Sequence, residues 1–389
     1  ATGIRSPAPC CACLKVKSLY GRPPAQAGGH FFCQFLLAQP KTGWLLAMSP
    51  ENHDKRIIPS AFRPARWLRN RHAQTMYPIV PWSWRGRPAL RRDSLELPDG
   101  DITAVDWLID ADNMPDAAPL LVILHGLEGS AESSYARMLM EAARDRGWRS
   151  CVLHFRDCGD YTNRLPRRYH AGETNDLRFF LNRLQAEREA SQNPGPLLAV
   201  GYSLGGNVLL KYLGESGVHT PLDGACAVSV PLDLHECADA LDRGFSRVYR
   251  RHLLKRMKSA VTRKFNPHTA AFNWARAMNA RTFAEFDDAV TAPLHGFQGK
   301  KDYYDRCSSV HYLQGIETPT LIINALDDPF MTPHVIPTAD RLSDNVTLEV
   351  AEQGGHVGFI DGGPPWRPTF YLPGRILGFL ERFAAKPGL

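Results

Sequence analysis

Pro196-Leu197-Leu198-Ala199-Val200-Gly201-Tyr202-Ser203-Leu204-Gly205-Gly206-Asn207-Val208-Leu209-Leu210-Lys211-Tyr212-Leu213 is the stretch that decides the fold. Residues 196–200 are apolar without a break and read as a buried strand. From Gly206 the pattern reads as the start of a helix. Between them lies Gly-x-Ser-x-Gly with Ser203 at the apex. A sharp strand-to-helix turn of this kind lifts a serine hydroxyl clear of the backbone, where a base can reach it. Gly201 and Gly205 have a steric reason to be glycine, because the serine backbone is strained and side chains on either side would collide with it or with the packed helix. The competing reading is a Gly-rich turn with a capping serine.

The chain on both sides repeats the same alternation. Ser94–Leu97 and Ile102–Leu108 flank Pro98-Asp99-Gly100-Asp101 and predict a β-hairpin. Leu120–Leu124 predicts a fully buried strand ending at His125-Gly126-Leu127-Glu128-Gly129-Ser130. A helix pattern follows through Tyr135, Met138, Leu139, Ala142 and Ala143. Further strands are expected at 151–155, 225–230, 320–325 and 346–350, and helices around Leu177–Leu184 and Ile376–Phe383. Apolar strands alternating with amphipathic helices predict an α/β fold: a mostly parallel sheet covered by helices on both faces, with an N-terminal antiparallel hairpin.

One interval breaks the rhythm. Between Pro231 and Thr318 no strand pattern occurs, so residues 232–318 are expected to form a helical cap inserted over the C-terminal edge of the sheet. Arg243, Arg247, Arg250, Arg251, Lys255, Arg256, Lys258, Arg263 and Lys264 lie in it with no acid among residues 243–264. A basic amphipathic helix can lie on an anionic membrane surface. The alternative is a solvated cap helix whose basic face meets acids elsewhere in the chain.

A serine hydroxyl needs a base, and the base needs an orienting carboxylate. In a strand–turn–helix context of this type the expected order along the chain is Ser, then Asp or Glu, then His, each just beyond a strand's C-terminal end. After strand 320–325 come Asp327 and Asp328, which compete for the acid role. Asp328 is preferred because Asp-Pro commonly opens a turn. After strand 346–350 comes His356, set among glycines. Ser203, Asp328 and His356 are thus the expected catalytic triad. The two backbone N–H donors needed for an oxyanion are expected at Leu204, next to the nucleophile, and at Leu127, in the loop after strand 120–124.

Composition narrows the field. Of 46 Lys and Arg residues, five (Arg5, Lys15, Lys17, Arg22 and Lys41) lie in the first 47 positions, which hold no Asp or Glu; the remaining body carries 41 basic against 40 acidic residues. That balance leaves no electrostatic footprint for nucleic acid. Nine dispersed cysteines predict reduced thiols and a cytoplasmic setting. No apolar run approaches a transmembrane span. Residues 1–47 read as a targeting peptide, a Cys/His metal site or an upstream extension outside the native frame. The third reading is favoured, so 1–47 is expected to be a disordered or non-native leader.

Several segments carry a resemblance: Arg71-His72-Ala73-Gln74-Thr75, Leu97-Pro98-Asp99-Gly100-Asp101, His125–Ser130, Arg168-Tyr169-His170-Ala171-Gly172-Glu173-Thr174, Gly201–Asn207, Gly244-Phe245-Ser246-Arg247-Val248-Tyr249, Asp327-Asp328-Pro329-Phe330-Met331 and Gly354-Gly355-His356-Val357-Gly358-Phe359. In order and spacing they resemble the YheT-like branch of the α/β-hydrolase superfamily, over residues 58–385. The resemblance implies an α/β-hydrolase fold and a serine carboxylesterase or lipase-like activity on short- to medium-chain acyl esters. It places the triad on Ser203, Asp328 and His356. One segment departs: Phe155-Arg156-Asp157-Cys158-Gly159-Asp160 puts two carboxylates where the family has glycines. That leaves open a polar or cationic group near the ester.

The expected function is ester hydrolysis through an acyl-enzyme, without cofactor or metal, on a small acyl-ester or lipid substrate. The alternatives are transfer of the acyl group to an alcohol and a non-catalytic membrane-associated module on the same fold. The sequence does not set the oligomeric state.

Overall fold

A computed structural model describes residues 54–79, 88–109, 114–191 and 194–384. The leader expected at 1–47 lies outside them. In chain order the strands and helices used below are β1 (Ile57–Pro59), α1 (Arg71–Met76), β2 (Leu90–Glu96), β3 (Ile102–Leu108), β4 (Leu120–Leu124), α2 (Ser134–Arg144), β5 (Arg149–Leu153), α3 (Asn175–Glu189), β6 (Leu197–Tyr202) and α4 (Leu204–Ser216). Then follow β7 (Gly224–Val228), α5 (Leu234–Leu241), α6 (Ser246–Lys264), α7 (Trp274–Asn279), α8 (Phe283–Phe286), α9 (Lys300–Cys307), β8 (Thr320–Ala325), β9 (Val346–Ala351), β10 (Ile360–Gly362), β11 (Thr369–Phe370) and α10 (Tyr371–Ala384).

Nine of these strands form one sheet in the order β1-β9-β8-β7-β6-β4-β5-β3-β2. The β2–β3 and β3–β5 pairs are antiparallel and every other pair is parallel. β4, β6, β7 and β8 are buried at every position, because helices cover both faces. One face packs Leu177, Phe180, Leu181 and Leu184 of α3 and Val208 to Leu210 of α4. The opposite face packs Leu139, Met140 and Ala143 of α2 with Ile376, Leu377 and Leu380 of α10. This is the α/β-hydrolase fold.

The hairpin turn follows from its glycine: Gly100 has φ +79°, and Leu97 N donates to Asp101 O across it. Strand ends differ from expectation by one to four residues. β2 begins at Leu90 rather than Ser94, through an exposed edge segment whose charges hid it. β5 runs 149–153 rather than 151–155, and β7 runs 224–228 rather than 225–230. The sequence reading missed β1, β10 and β11. Each is two or three residues long, too short to show a period, and β1 ends in proline.

Between β7 and β8 the described chain contains helices and no strand. These helices share an apolar cluster of their own, including Leu254, Met257, Val261, Phe272, Phe286 and Tyr303. The basic run falls on α6. Arg250 pairs with Asp242, while Arg256, Lys258 and Lys264 reach the backbone carbonyls of Glu128, of Met278 and Ala280, and of Asn163. Most of the partners found are therefore carbonyls rather than the acids expected. Arg251, Lys255 and Arg263 are exposed. No described helix is long and apolar enough to cross a membrane.

Candidate active site

β6 ends in a turn that holds Ser203 at φ +53°, ψ −120°, a conformation non-glycine residues avoid. Neighbouring hydrogen bonds over-determine it: Ser203 N donates to Val228 O at 2.8 Å, and Asn207 N donates to Ser203 O at 3.1 Å. The flanking glycines are steric necessities. A Cβ on Gly201 would stand 2.4 Å from Gly205 O, and one on Gly205 would stand 2.5 Å from His125 O.

Ser203 Oγ lies 3.0 Å from His356 Nε2, and His356 Nδ1 lies 2.8 Å from Asp328 Oδ2. With Asp328 accepting from Nδ1–H, Nε2 keeps a lone pair for the serine hydroxyl. Asp328 is 1% exposed, and its other oxygen accepts from Phe330 N at 2.8 Å. The neighbouring Asp327 turns away to accept from Gly355 N at 2.9 Å, and burial pushes its carboxyl up to about 6. The imidazole of His356 stacks on Phe330 with centroids 3.9 Å apart, and His356 N donates to Thr75 Oγ1 at 2.9 Å. Thr75 belongs to α1, so the Arg71–Thr75 segment braces the histidine loop.

In the loop after β4, His125 is buried and neutral. Burial holds it down to about 3, Nδ1 lies 2.7 Å from Gly126 O, and Nε2 accepts from Phe155 N. Gly126 N donates to Tyr135 Oη, Glu128 N to Tyr169 Oη, Gly129 N to Gly126 O and Ser130 N to Ser133 Oγ. Among the described residues, Leu127 N and Leu204 N donate to no protein acceptor. These are the two amides expected to face an oxyanion. Leu127, Leu204 and Ser203 line a common cavity.

That cavity has a volume of ≈ 130 Å³ and runs under the inserted helices, past Leu234, Leu241, Met257, Phe286 and Val290. A second space of ≈ 450 Å³ opens on the other side of Ser203, toward Tyr135, Tyr249, Leu253 and Ile79. Ser203 and His356 line both.

The two extra carboxylates do not lie free at the mouth. Asp157 is buried and accepts from Arg168 Nε at 2.7 Å, while Asp160 lies outside the Ser203 cavities, beside Lys255 and Arg263. Their surroundings give no support to a site for a cationic substrate group. His170, Glu173 and His295 place ligand atoms within 4.8 Å of one another. They do not form a good cation site. His170 Nδ1 accepts from Gly172 N, which puts the proton on Nε2, and Arg167 pairs with Glu173.

A strained serine elbow on a parallel sheet, an imidazole and a buried carboxylate in line with it, and an apolar cavity at the serine define an α/β hydrolase of the esterase and lipase type. The family model for the alpha/beta hydrolase fold matches residues 119–363, and the chain belongs to that family. Within it, the chain is 44% identical to the YheT protein of Escherichia coli over 83% of this chain and 93% of that one. It is 28% identical to the phospholipase ABHD3 of Mus musculus (92% of this chain, 84% of that protein) and 31% identical to a monoacylglycerol lipase of Saccharomyces cerevisiae (64% and 56%). The Pyrococcus furiosus esterase Pf2001 superposes with a TM-score of 0.50 at 17% identity, covering 78% of this chain and 98% of that one, a likeness of fold.

Sequence reasoning had no contact-level signal for Thr75, Tyr135, Tyr169 and Phe330. All except Tyr135 lie in segments that carried the family resemblance.

Proposed function

We propose that this protein hydrolyses carboxylic esters with short- to medium-chain acyl groups through an acyl-enzyme on Ser203. The observation that carries the reading is the line Ser203 Oγ, His356, Asp328, at 3.0 and 2.8 Å. Ser203 Oγ attacks the ester carbonyl while its proton passes to His356 Nε2. Asp328 holds the imidazole in the productive tautomer and stabilises the imidazolium. The amides of Leu127 and Leu204 take the oxyanion. The intermediate collapses, the C–O bond to the alcohol breaks, and the alkoxide leaves with the proton from Nε2. Water then enters by the same route in reverse and releases the acid.

The two spaces at Ser203 suit the two halves of an ester. An apolar cavity of about 150 Å³ holds one benzene, so the inner ≈ 130 Å³ suits about six carbons of acyl chain. The outer ≈ 450 Å³ then takes the alcohol. The name of the yeast relative puts glycerol among the alcohols to test. The outer space also favours a second reading, in which a bound alcohol rather than water takes the acyl group. Product analysis with added ethanol separates the two, since ethyl ester outrunning free acid assigns transfer. The primary test is a fluorophosphonate probe and a series of p-nitrophenyl esters. Ser203 should label, Ser203→Ala should neither label nor turn over, and turnover should peak near C4–C8. A wild-type protein that neither labels nor hydrolyses any ester of the series overturns the reading.

A further inference from the structure

The segments His125–Ser130 and Arg168–Thr174 lie 40 residues apart in sequence and meet at one residue, Glu128. Glu128 follows the proposed oxyanion donor and is held at φ +53°, where a non-glycine residue is strained. Its amide, its carbonyl and one carboxylate oxygen are each engaged. Its N–H donates to Tyr169 Oη at 2.7 Å, and the same hydroxyl donates to its Oε1 at 2.9 Å. Arg168 Nη2 donates to Oε1 at 2.7 Å, and Arg256 Nη2 reaches its carbonyl oxygen. Burial keeps the Tyr169 phenol protonated far above its ordinary range, so it remains a donor. Tyr169 is fixed in turn by stacking on Phe155, with centroids 5.2 Å apart and planes at 12°. Arg168 is fixed by Asp157.

The consequence falls on Leu127. Tyr135 takes the amide before it and Tyr169 the amide after it, which leaves Leu127 N–H as the free donor between two clamped peptides. We propose that Tyr169 and Glu128, backed by Arg168, are positioning residues that hold the Leu127 amide on the oxyanion. This rests on the acyl-enzyme reading above and adds to it a reason for the strain. A preorganised donor needs no reorientation when charge develops on the carbonyl oxygen. Asp157 belongs to the same device: its carboxylate secures the Arg168 guanidinium, whose other arm neutralises Glu128 beside the forming anion.

The test uses the full chain and reads transition-state binding apart from folding. Tyr169→Phe should lower kcat roughly 10- to 30-fold with KM within about twofold, a fraction of the loss for a whole oxyanion donor. Affinity for a trifluoromethyl ketone, which adds to Ser203 as a tetrahedral anion, should fall by the same factor. Affinity for the corresponding methyl ketone, which does not add appreciably, should stay. Glu128→Gln, which keeps the shape and both acceptor contacts, should show a smaller loss of the same kind. Glu128→Gly should be several-fold more active than Glu128→Ala, since glycine adopts φ +53° freely. Fluorophosphonate labelling of the wild type checks the underlying reading separately. With labelling intact, the proposal is overturned if folded Tyr169→Phe and Glu128→Gln keep wild-type kcat and trifluoromethyl ketone affinity. It is equally overturned if both ketones weaken together.

Discussion

Asp327 and Asp328 are adjacent in sequence and opposite in environment. Asp328 is buried against His356 Nδ1, while Asp327 turns to the Gly355 amide and is pushed up to about 6 by burial. The two substitutions to asparagine should therefore separate. Asp328→Asn leaves the shape but presents an amide to Nδ1, favours the wrong tautomer, and should lower kcat by about 10³–10⁴-fold. Asp327→Asn keeps an oxygen for Gly355 N and should change kcat by no more than about threefold. Steady-state kinetics on both variants at pH 8 measures this, and a larger loss for Asp327→Asn would reassign the acid. At this scale Ser203 was legible, because Gly-x-Ser-x-Gly between an apolar strand and a helix is local information. Asp328 and His356 were legible as strand-end residues in the right order. Thr75 was not: its hydroxyl meets His356 N across 281 positions, and nothing in the periodicity of α1 marks a side chain for that contact.

Among the elements, the helices between β7 and β8 matter most for substrate choice, because they close the inner cavity. Val290 lies in the wall of that cavity within a π-helical turn, Asp287–Thr291. Such turns re-aim side chains within an otherwise regular helix and recur at functional sites. Val290→Phe adds a ring to a space sized for about six carbons. It should move the p-nitrophenyl ester optimum to C2–C4, reduce kcat/KM for C8 by about tenfold or more, and leave acetyl ester turnover within about twofold. An unchanged chain-length profile would place the acyl chain in the outer space instead. The existence of this helical insertion was legible from the absence of strands over 231–318. The π-turn was not, because Phe-Asp-Asp-Ala-Val-Thr reads as ordinary helix, and its contact with Tyr304, whose hydroxyl donates to Asp287, comes from 17 positions away. The strands show the same division. β4 and β6 announced themselves by apolar runs, whereas β10 and β11 exist only because each supplies the other with a partner.

The whole molecule carries a pH dependence that follows from what the fold buries. Burial holds His125 down to about 3 and His295 to about 4, and sets His170 well below its ordinary value. Unfolded, each takes up a proton near pH 6.5. Their depressed folded values mean that the neutral-histidine contribution is complete above about pH 6.5 and is lost as the pH falls toward 4. Asp287 and Asp327 act in the opposite sense. Burial raises both to about 6, so the native state binds their protons first and regains stability as pH falls from about 6 to 3.8. Glu141 and Glu173, also raised by burial, add to that side. The histidines prevail because their displacements are larger and because the unfolded chain begins to take up its protons at the higher pH. Across pH 6.5 to 5 the unfolded state thus binds more protons than the native state, and Tm should fall as the pH falls. Thermal unfolding at half-unit steps measures it, and His295→Gln should shallow the slope by removing one of the histidine terms. A Tm that holds level or rises over this interval would mean that the buried carboxyls outweigh the histidines.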